Sequence, residues 1–275
     1  MNRSLQLYFI ILLCGTFGYF ASTSFTYSGK TYPTGQVSGK DRSTITNLPW
    51  SRFEVSTIAD NIGGSAYYEE AANELAFKKE AGKYGIIHIA THAFTDDESP
   101  SYSRLLFNNG GGNGEDGILY AYEIYSLRLN SELAVLSSCN TGMGKLIKGE
   151  GIFSLARAFM YAGVPSVIMS LWDVDDRSTA EIVVGFYKRL ADGESKADAL
   201  RNVKLDYLRN SDQLTANPVY WAGLVSIGDQ SPVKMESRDH SYLFAIVTAV
   251  LVFLIYLASK IIISKRSVRV SSPSN

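Results

Sequence analysis

Short apolar runs alternate with helical stripes through the middle of the chain. Three of these runs, Ile86–Ala90, 133–138 and 166–171, have the length and composition of buried strands. Between and after them, apolar residues recur at helical spacing, in one stripe of Ile152, Leu155, Ala156 and Phe159 and another of Ile182, Val183, Phe186 and Leu190. This alternation predicts an α/β domain with a mostly parallel central sheet.

Capping patterns and a glycine-rich segment divide the rest of this region. Ser178 with Glu181 and Ser195 with Asp198 have capping-box spacing, so each pair predicts the start of a helix. Residues 108–117 are rich in glycine but lack the Gly-Lys-Ser/Thr ending of a phosphate-binding loop. The segment therefore predicts a flexible loop and no phosphate site.

The end of the chain has the pattern of a membrane anchor. Residues 242–258 carry no charge, and the apolar stretch 242–263 approaches the ~20 residues that a helix needs to cross a bilayer. The tail 264–275 carries three basic and no acidic residues, which predicts a cytoplasmic tail. We expect a single-pass C-terminal anchor, a juxtamembrane linker over 231–241 and an extracytoplasmic domain. A buried core helix is the alternative for 242–263.

The beginning of the chain is also apolar. Arg3 precedes the run 5–21, and small residues follow it, which fits a signal peptide or an N-terminal membrane anchor over 1–24. An uncleaved anchor would make the protein two-pass. The alternative is a buried strand and helix of a domain. Residues 25–47 are rich in Ser, Thr, Gly and Tyr without periodicity, which predicts a linker.

Composition and charge exclude several classes of function. The chain has 26 basic and 27 acidic residues, so it lacks the positive field of a nucleic-acid-binding protein. Its two cysteines, Cys14 and Cys139, exclude a disulfide framework and a cysteine-ligated zinc site. Its three histidines are scattered. We therefore expect no metal and no cofactor.

Two reactive side chains each follow a strand of the predicted sheet, and adjacent parallel strands could present both groups a few ångströms apart. His92 comes after the strand Ile86–Ala90, and Cys139 comes after the strand 133–138. Ligands of such sheets bind beyond the carboxyl ends of the strands. An imidazole there can accept the thiol proton and later donate it to a leaving amine, so the two residues are candidates for a Cys/His dyad. Alternatively, Cys139 is a small buried hydrophobe. His88, inside the strand, is predicted to be a structural histidine with local hydrogen bonds.

Four segments of the chain form a specific pattern. They are, in this order, HIATHAF, LAVLSSCNTGMG, GEGIFSLARAFMYAGVPSVIMSLWDVDD and NPVYWAGLVSIGD. Together they resemble the CHAT domain family. The resemblance covers most of a domain over 48–230. It implies a caspase-like three-layer α/β sandwich, related to caspases, gingipains and separases, in which His92 matches the catalytic histidine and Cys139 the nucleophile.

One residue departs from the family pattern. The family usually has glycine after the catalytic histidine, and the backbone N–H of that glycine helps to hold the oxyanion. Here the residue is Ala93, so the resemblance implies an oxyanion site formed by the backbone N–H groups of Ala93 and Cys139. Alanine tolerates positive φ poorly. If the turn requires positive φ, the oxyanion site is distorted and the rate falls by about 10²–10³.

Three aspartates follow the strand 166–171. The related separases and gingipains favour a basic residue before the cleaved bond, and an aspartate binds arginine through a bidentate contact. Asp173, Asp175 and Asp176 are therefore the candidate substrate-binding acids. Alternatively, these acids cap the helix that follows, since a helix N-terminus favours negative charge.

These residues give two predictions of function. The first is a membrane-anchored cysteine endopeptidase that acts on a protein or peptide substrate and cleaves after a basic residue. The second is a catalytically silent CHAT domain that serves as a membrane-tethered interaction or signalling module. CHAT domains are often joined to TPR repeats that regulate them. Since we expect no room for such repeats in this chain, the expected regulator is a separate partner such as a TPR protein, or the membrane.

Overall fold

The computed structural model describes residues 9–13, 24–27, 30–33, 48–96, 99–108, 115–137, 151–234, 248–251 and 253. The chain forms two compact units, Met1–Met235 and Glu236–Asn275. In the second unit, the described residues 248–251 and 253 are helical.

The first unit alternates strands and helices. Its strands are β1 (Phe9–Leu13), β2 (Ser24–Tyr27), β3 (Lys30–Pro33), β4 (Ser65–Tyr67), β5 (Ile86–Ala90), β6 (Ala93–Phe94), β7 (Arg104–Leu106), β8 (Ile118–Tyr120), β9 (Leu133–Leu136), β10 (Ser166–Ser170) and β11 (Leu224–Gly228). Its α-helices are α1 (Pro49–Ile62), α2 (Glu74–Glu80), α3 (Ala121–Ile124), α4 (Gly151–Tyr161), α5 (Asp176–Ala191), α6 (Lys196–Asn210) and α7 (Pro218–Trp221). Among the described residues, short 3₁₀ turns lie at Glu69–Ala71, Ala81–Lys83 and Pro100–Tyr102.

A six-stranded sheet forms the centre of this unit. Its strand order is β11-β10-β9-β5-β1-β4. All neighbours in it pair in parallel except β10 and β11, which are antiparallel. The prediction of an α/β fold with a mostly parallel sheet is therefore confirmed. A second sheet of β6, β7 and β8 follows the carboxyl end of β5.

The central sheet is covered by helices on both faces. Successive side chains of a strand point to opposite faces, and β5 shows this directly. Its residues Ile87 and Ile89 pack in one core with Phe77 of α2 and the side chains of α4. Its residues Ile86 and Ala90 pack in the other core with α1, α5 and α6. Burial on both faces explains why the strands are continuously apolar in sequence.

The structure describes part of the apolar segment at the beginning of the chain. Residues Phe9–Leu13 form β1, which pairs with β5 on one side and with β4 on the other. These five residues are therefore a strand of the central sheet. The rest of the predicted signal peptide or anchor 1–24, apart from Ser24, lies outside the described residues. Within the predicted linker 25–47, β2 and β3 form an antiparallel pair.

The predicted C-terminal anchor falls largely outside the described residues. Of the span 242–263, the structure describes 248–251 and 253, and none of the tail 264–275. No helix among the described residues has the length and apolarity required for a membrane crossing.

Candidate active site

The candidate histidine and cysteine follow two adjacent parallel strands. β5 and β9 pair with Ile86 opposite Leu133 and with Ile89 opposite Leu136. Past the paired residues, the Ser137 N–H still donates to the Ile89 carbonyl at 2.9 Å. His92 is the third residue after Ile89, and Cys139 is the third residue after Leu136. The two positions thus have the same offset along neighbouring strands. Cys139 itself lies outside the described residues.

His92 is held in a bend between β5 and β6. His92 is 5% exposed. Its backbone carbonyl accepts a hydrogen bond from the Leu106 N–H at 2.9 Å. The hydroxyl of the preceding residue, Thr91, donates to the Leu106 carbonyl. Strand β7 therefore fixes the backbone on which His92 is carried.

Ala93 adopts the ordinary extended conformation of a strand. It begins β6 and pairs with Leu105 of β7. Among the described residues, Glu69 is the non-glycine residue with positive φ, at 51°, and Ala93 is not in that region. The condition for a distorted oxyanion site, positive φ at Ala93, is therefore not met. The Ala93 side chain is instead buried in the core.

The three candidate aspartates lie beyond the carboxyl end of β10, and Asp175 and Asp176 make hydrogen bonds at the start of α5. Asp175 caps α5, because its Oδ1 accepts from the Ser178 N–H and from the Ser178 hydroxyl, both at 2.9 Å. Asp176 Oδ2 accepts from the Trp50 N–H at 2.9 Å and ties α1 to α5. Burial raises the pKa of Asp176, and the hydrogen bond from Trp50 opposes this rise.

Asp175 thus caps α5, as the alternative interpretation of these acids predicted. This cap also corrects the predicted start of α5. The helix begins at Asp176, so its cap is Asp175 and not Ser178. The Ser195 cap of α6 is confirmed, since Ser195 Oγ accepts from the Asp198 N–H at 3.1 Å. Asp173 is exposed.

His88 is fully buried and structural, but its contacts are not local in sequence. Its Nε2 lies 3.1 Å from Glu54 Oε1 of α1, and its Nδ1 lies 3.2 Å from the Tyr187 hydroxyl of α5. Burial raises the pKa of Tyr187 well above its ordinary value, and the Glu54 charge adds to this rise. The three side chains link α1, β5 and α5 on the face of the sheet opposite α2 and α4.

A group of glutamates that the sequence analysis missed surrounds one lysine. Carboxylate oxygens of Glu74, Glu115 and Glu123 lie within 4.8 Å of one another, close enough to hold a metal ion. However, Lys78 Nζ lies 2.6 Å from Glu74, 2.8 Å from Glu115 and 2.9 Å from Glu123. The lysine ammonium therefore supplies the positive charge of this group. Glu74 Oε2 also accepts from the Gly117 N–H at 3.0 Å, which ties α2 to the start of β8.

The stability of the protein should depend on pH through Glu74. Burial raises the pKa of Glu74 to about 7, although the Lys78 ammonium opposes this rise. The Glu74 carboxyl therefore binds a proton more tightly in the folded state than in the unfolded state. This proton contributes fully to the stability of the folded state below pH ~4.5, and the contribution is lost as the pH rises through about 7. Glu74→Gln should remove this loss, on the order of 1–2 kcal/mol between pH 5 and pH 8. Urea unfolding of both proteins across this range measures it.

Glu80→Gln, on the same helix, is the control for the Glu74 variant. Glu80 pairs with Lys83 at the exposed end of α2. Its variant should keep the pH dependence of the parent protein. Parallel curves for the parent protein and Glu74→Gln would contradict the prediction.

The chain is similar to a known domain family and to known proteins. The family model of the CHAT domain matches residues 25–229. Tetratricopeptide repeat protein 28 of Mus musculus is 34% identical over 120 residues, and that of Homo sapiens is 32% identical over 120 residues. Each match covers 44% of this chain and 5% of the relative, so the chain spans a small part of the length of these curated relatives.

Two solved structures are similar at low sequence identity. The separase–securin complex of Saccharomyces cerevisiae aligns with a TM-score of 0.46 and 13% identity, over 82% of this chain and 12% of that chain. The Arg-specific cysteine proteinase gingipain R aligns with a TM-score of 0.48 and 11% identity, over 84% of this chain and 49% of that chain.

Proposed function

The chain belongs to the CHAT domain family, and from this premise we propose that it is a cysteine endopeptidase with a caspase-like domain. In this proposal Cys139 is the nucleophile and His92 is the general acid/base. The observation that carries the proposal is the pairing of β5 with β9. Since Ile89 is opposite Leu136, His92 and Cys139 have equal offsets along adjacent parallel strands. Such strands are about 4.8 Å apart, which is within reach of a thiol–imidazole pair.

The proposed reaction proceeds in two steps. His92 accepts the proton of the Cys139 thiol, and the thiolate attacks the carbonyl carbon of the scissile peptide bond. When the tetrahedral intermediate collapses, the C–N bond breaks and His92 donates its proton to the leaving amine. In the second step His92 accepts a proton from water, the hydroxide attacks the thioester, and the released thiol regains its proton.

The backbone N–H groups of Ala93 and Cys139 are proposed to stabilise the oxyanion. The pattern of β6 and β7 supports the role of Ala93. Residue pairs in an antiparallel ladder alternate between hydrogen-bonded and non-hydrogen-bonded. Because the Leu106 N–H donates to the His92 carbonyl, the next pair, Ala93 with Leu105, is of the non-hydrogen-bonded kind. This places the Ala93 N–H on the side of β6 away from β7.

We propose that the substrate is a protein or peptide with a basic residue before the cleaved bond. Asp173 is exposed and is the third residue after the end of β10. We propose that Asp173 binds the basic side chain, because it is the first of the three acids beyond the carboxyl end of this strand, where ligands of such sheets bind.

We also propose a C-terminal membrane anchor, with the peptidase domain outside the cytoplasm. This proposal is based on the apolar segment 242–263 and the basic tail 264–275.

A peptidyl electrophile that ends in arginine and does not cross membranes tests the activity and the orientation together. Applied to intact, outer-permeabilised cells, it should label the full chain, and Cys139→Ala should remove the label. Labelling that requires cell lysis would contradict the orientation, and absence of labelling in both conditions would contradict the peptidase.

The second candidate is a catalytically silent CHAT domain that binds other proteins. The observation in its favour is that both curated relatives are tetratricopeptide repeat proteins, a name that points to a regulatory partner of the same kind. A pull-down with Cys139→Ala separates the two candidates. A peptidase should retain uncleaved substrate on the variant and not on the parent protein, whereas an interaction module should retain the same partners on both.

A further inference from the structure

Leu106 makes hydrogen bonds to two consecutive residues at the candidate site. Its carbonyl accepts from the Thr91 hydroxyl, and its N–H donates to the His92 carbonyl at 2.9 Å. Thr91 is 1% exposed and Leu106 is 3% exposed, so both bonds are shielded from water. We infer that Thr91 is a positioning residue that sets the direction of the His92 imidazole through Leu106. The inference rests on the proposed role of His92 as acid/base.

The direction of the His92 side chain depends on the backbone of a short bend. β5 ends at Ala90 and β6 begins at Ala93, so Thr91 and His92 are the residues at which the chain changes direction. The rotamers open to a side chain depend on its φ and ψ. Leu106 of β7 bonds the Thr91 hydroxyl and also the His92 carbonyl. These two hydrogen bonds restrict the rotation of the peptide group that joins Thr91 to His92.

Strand β7 is itself held firmly enough to serve as this support. Leu106 is paired with Ile118 of β8, and the next residue, Phe107, donates to the Gly117 carbonyl at 2.8 Å. Gly117 is in turn bonded to Glu74 of α2. The bonds from Leu106 thus connect the bend to a fixed part of the domain. Loss of the Thr91 hydroxyl removes one of the two hydrogen bonds through which Leu106 holds this bend.

A hydroxyl that serves stability alone offers a matched comparison. Ser131 is 1% exposed, and its Oγ donates to the Tyr84 carbonyl at 2.7 Å. This bond has the same chemistry as that of Thr91 but lies before β5 and β9, at the opposite edge of the sheet. Ser131→Ala should therefore lower stability and leave the chemistry of Cys139 unchanged.

The alkylation of Cys139 by iodoacetamide tests the inference without the need for a substrate. The measurement uses the full chain with Cys14→Ser, which leaves Cys139 as its one thiol. In a thiol–imidazole pair the thiolate persists well below the ordinary thiol pKa of about 8.5, so the alkylation rate should already be high near pH 7. Thr91→Val should lower the rate at pH 7 about tenfold, because a small misplacement of the base has a large effect on rate. The inflection of its pH profile should move towards that of an ordinary thiol, while Thr91→Ser should keep the parent profile.

The outcomes separate this inference from the proposed function. A parent profile identical to that of His92→Ala would overturn the dyad and the inference with it. A parent profile with the low inflection, left unchanged by Thr91→Val, would overturn the positioning role alone. A shift in Ser131→Ala as large as that in Thr91→Val would also overturn it. If Thr91→Val does not fold, Thr91→Ala, which adds no methyl group, takes its place under the same criteria.

Discussion

Replacing His92 with alanine should lower kcat/KM by about 10²–10⁴-fold, the range that a positioned general acid/base contributes. Replacing Cys139 with alanine should reduce turnover to background, because no thiolate remains to form the acyl intermediate. His92 lies at the end of β5 and outside the apolar stripes of the two cores, so His92→Ala should keep the fold. Turnover of a cleavable peptide and the thermal unfolding midpoint of each variant are the measurements.

His88 provides the contrast, since it is on the same strand but has a structural role. Its imidazole lies between Glu54 and Tyr187 with no exposed surface. His88→Gln replaces the imidazole that contacts Glu54 and Tyr187 with a side chain of another shape, and a buried polar group left unsatisfied costs about 1–3 kcal/mol. This variant should therefore lose stability, while its folded fraction keeps its turnover. Wild-type turnover by His92→Ala would show that the dyad is wrongly assigned.

The sequence predicted the part of the fold that depends on local pattern. β5, β9 and β10 are buried on both faces, so each is a continuous apolar run that can be recognised without knowledge of its neighbours. Residues that follow such strands lie at the carboxyl edge of the sheet, so the edge that carries His92 was predictable from this pattern. The direct pairing of β5 with β9 was not, and it is seen in the structure.

Contacts between distant residues were not predictable in this way. Lys78 meets Glu115 and Glu123 across separations of 37 and 45 residues, and no periodicity marks such a pair. His88 meets Tyr187 across 99 residues. The start of α5 was missed for a different reason: Asp175 and Ser178 are both good capping residues, and the extended backbone of Asp175, at ψ 129°, selects it.

The conformation of Ala93 could not be read from the sequence either. A glycine in the family pattern suggests positive φ, but Ala93 pairs with Leu105 in an ordinary antiparallel strand. Since alanine adopts that conformation without strain, the departure from the family pattern gives no reason to expect an inactive enzyme.

The preference for a basic residue should depend on Asp173. A carboxylate binds the guanidinium of arginine through two parallel hydrogen bonds, and it binds the ammonium of lysine through fewer. Hydrogen bonds to a charged group contribute about 1.5–3 kcal/mol, which corresponds to a preference of about 10–100-fold over an uncharged residue. We expect cleavage after arginine, then lysine, and we expect Asp173→Asn to reduce this preference to about threefold or less, the level that surface charges alone sustain. A positional-scanning peptide library on the full chain measures the profile.

Asp175→Asn is the matched control for Asp173→Asn, because both changes remove one negative charge beside α5. An asparagine oxygen can still accept from the Ser178 N–H, so the cap of α5 survives in the Asp175 variant. The two variants should have similar stability, and the arginine preference should persist in Asp175→Asn. Loss of the preference in Asp175→Asn but not in Asp173→Asn would move the binding role to Asp175. A library profile dominated by acidic or apolar residues would exclude an acidic specificity pocket at this end of β10, since a carboxylate facing such a side chain loses its hydration without gaining a partner.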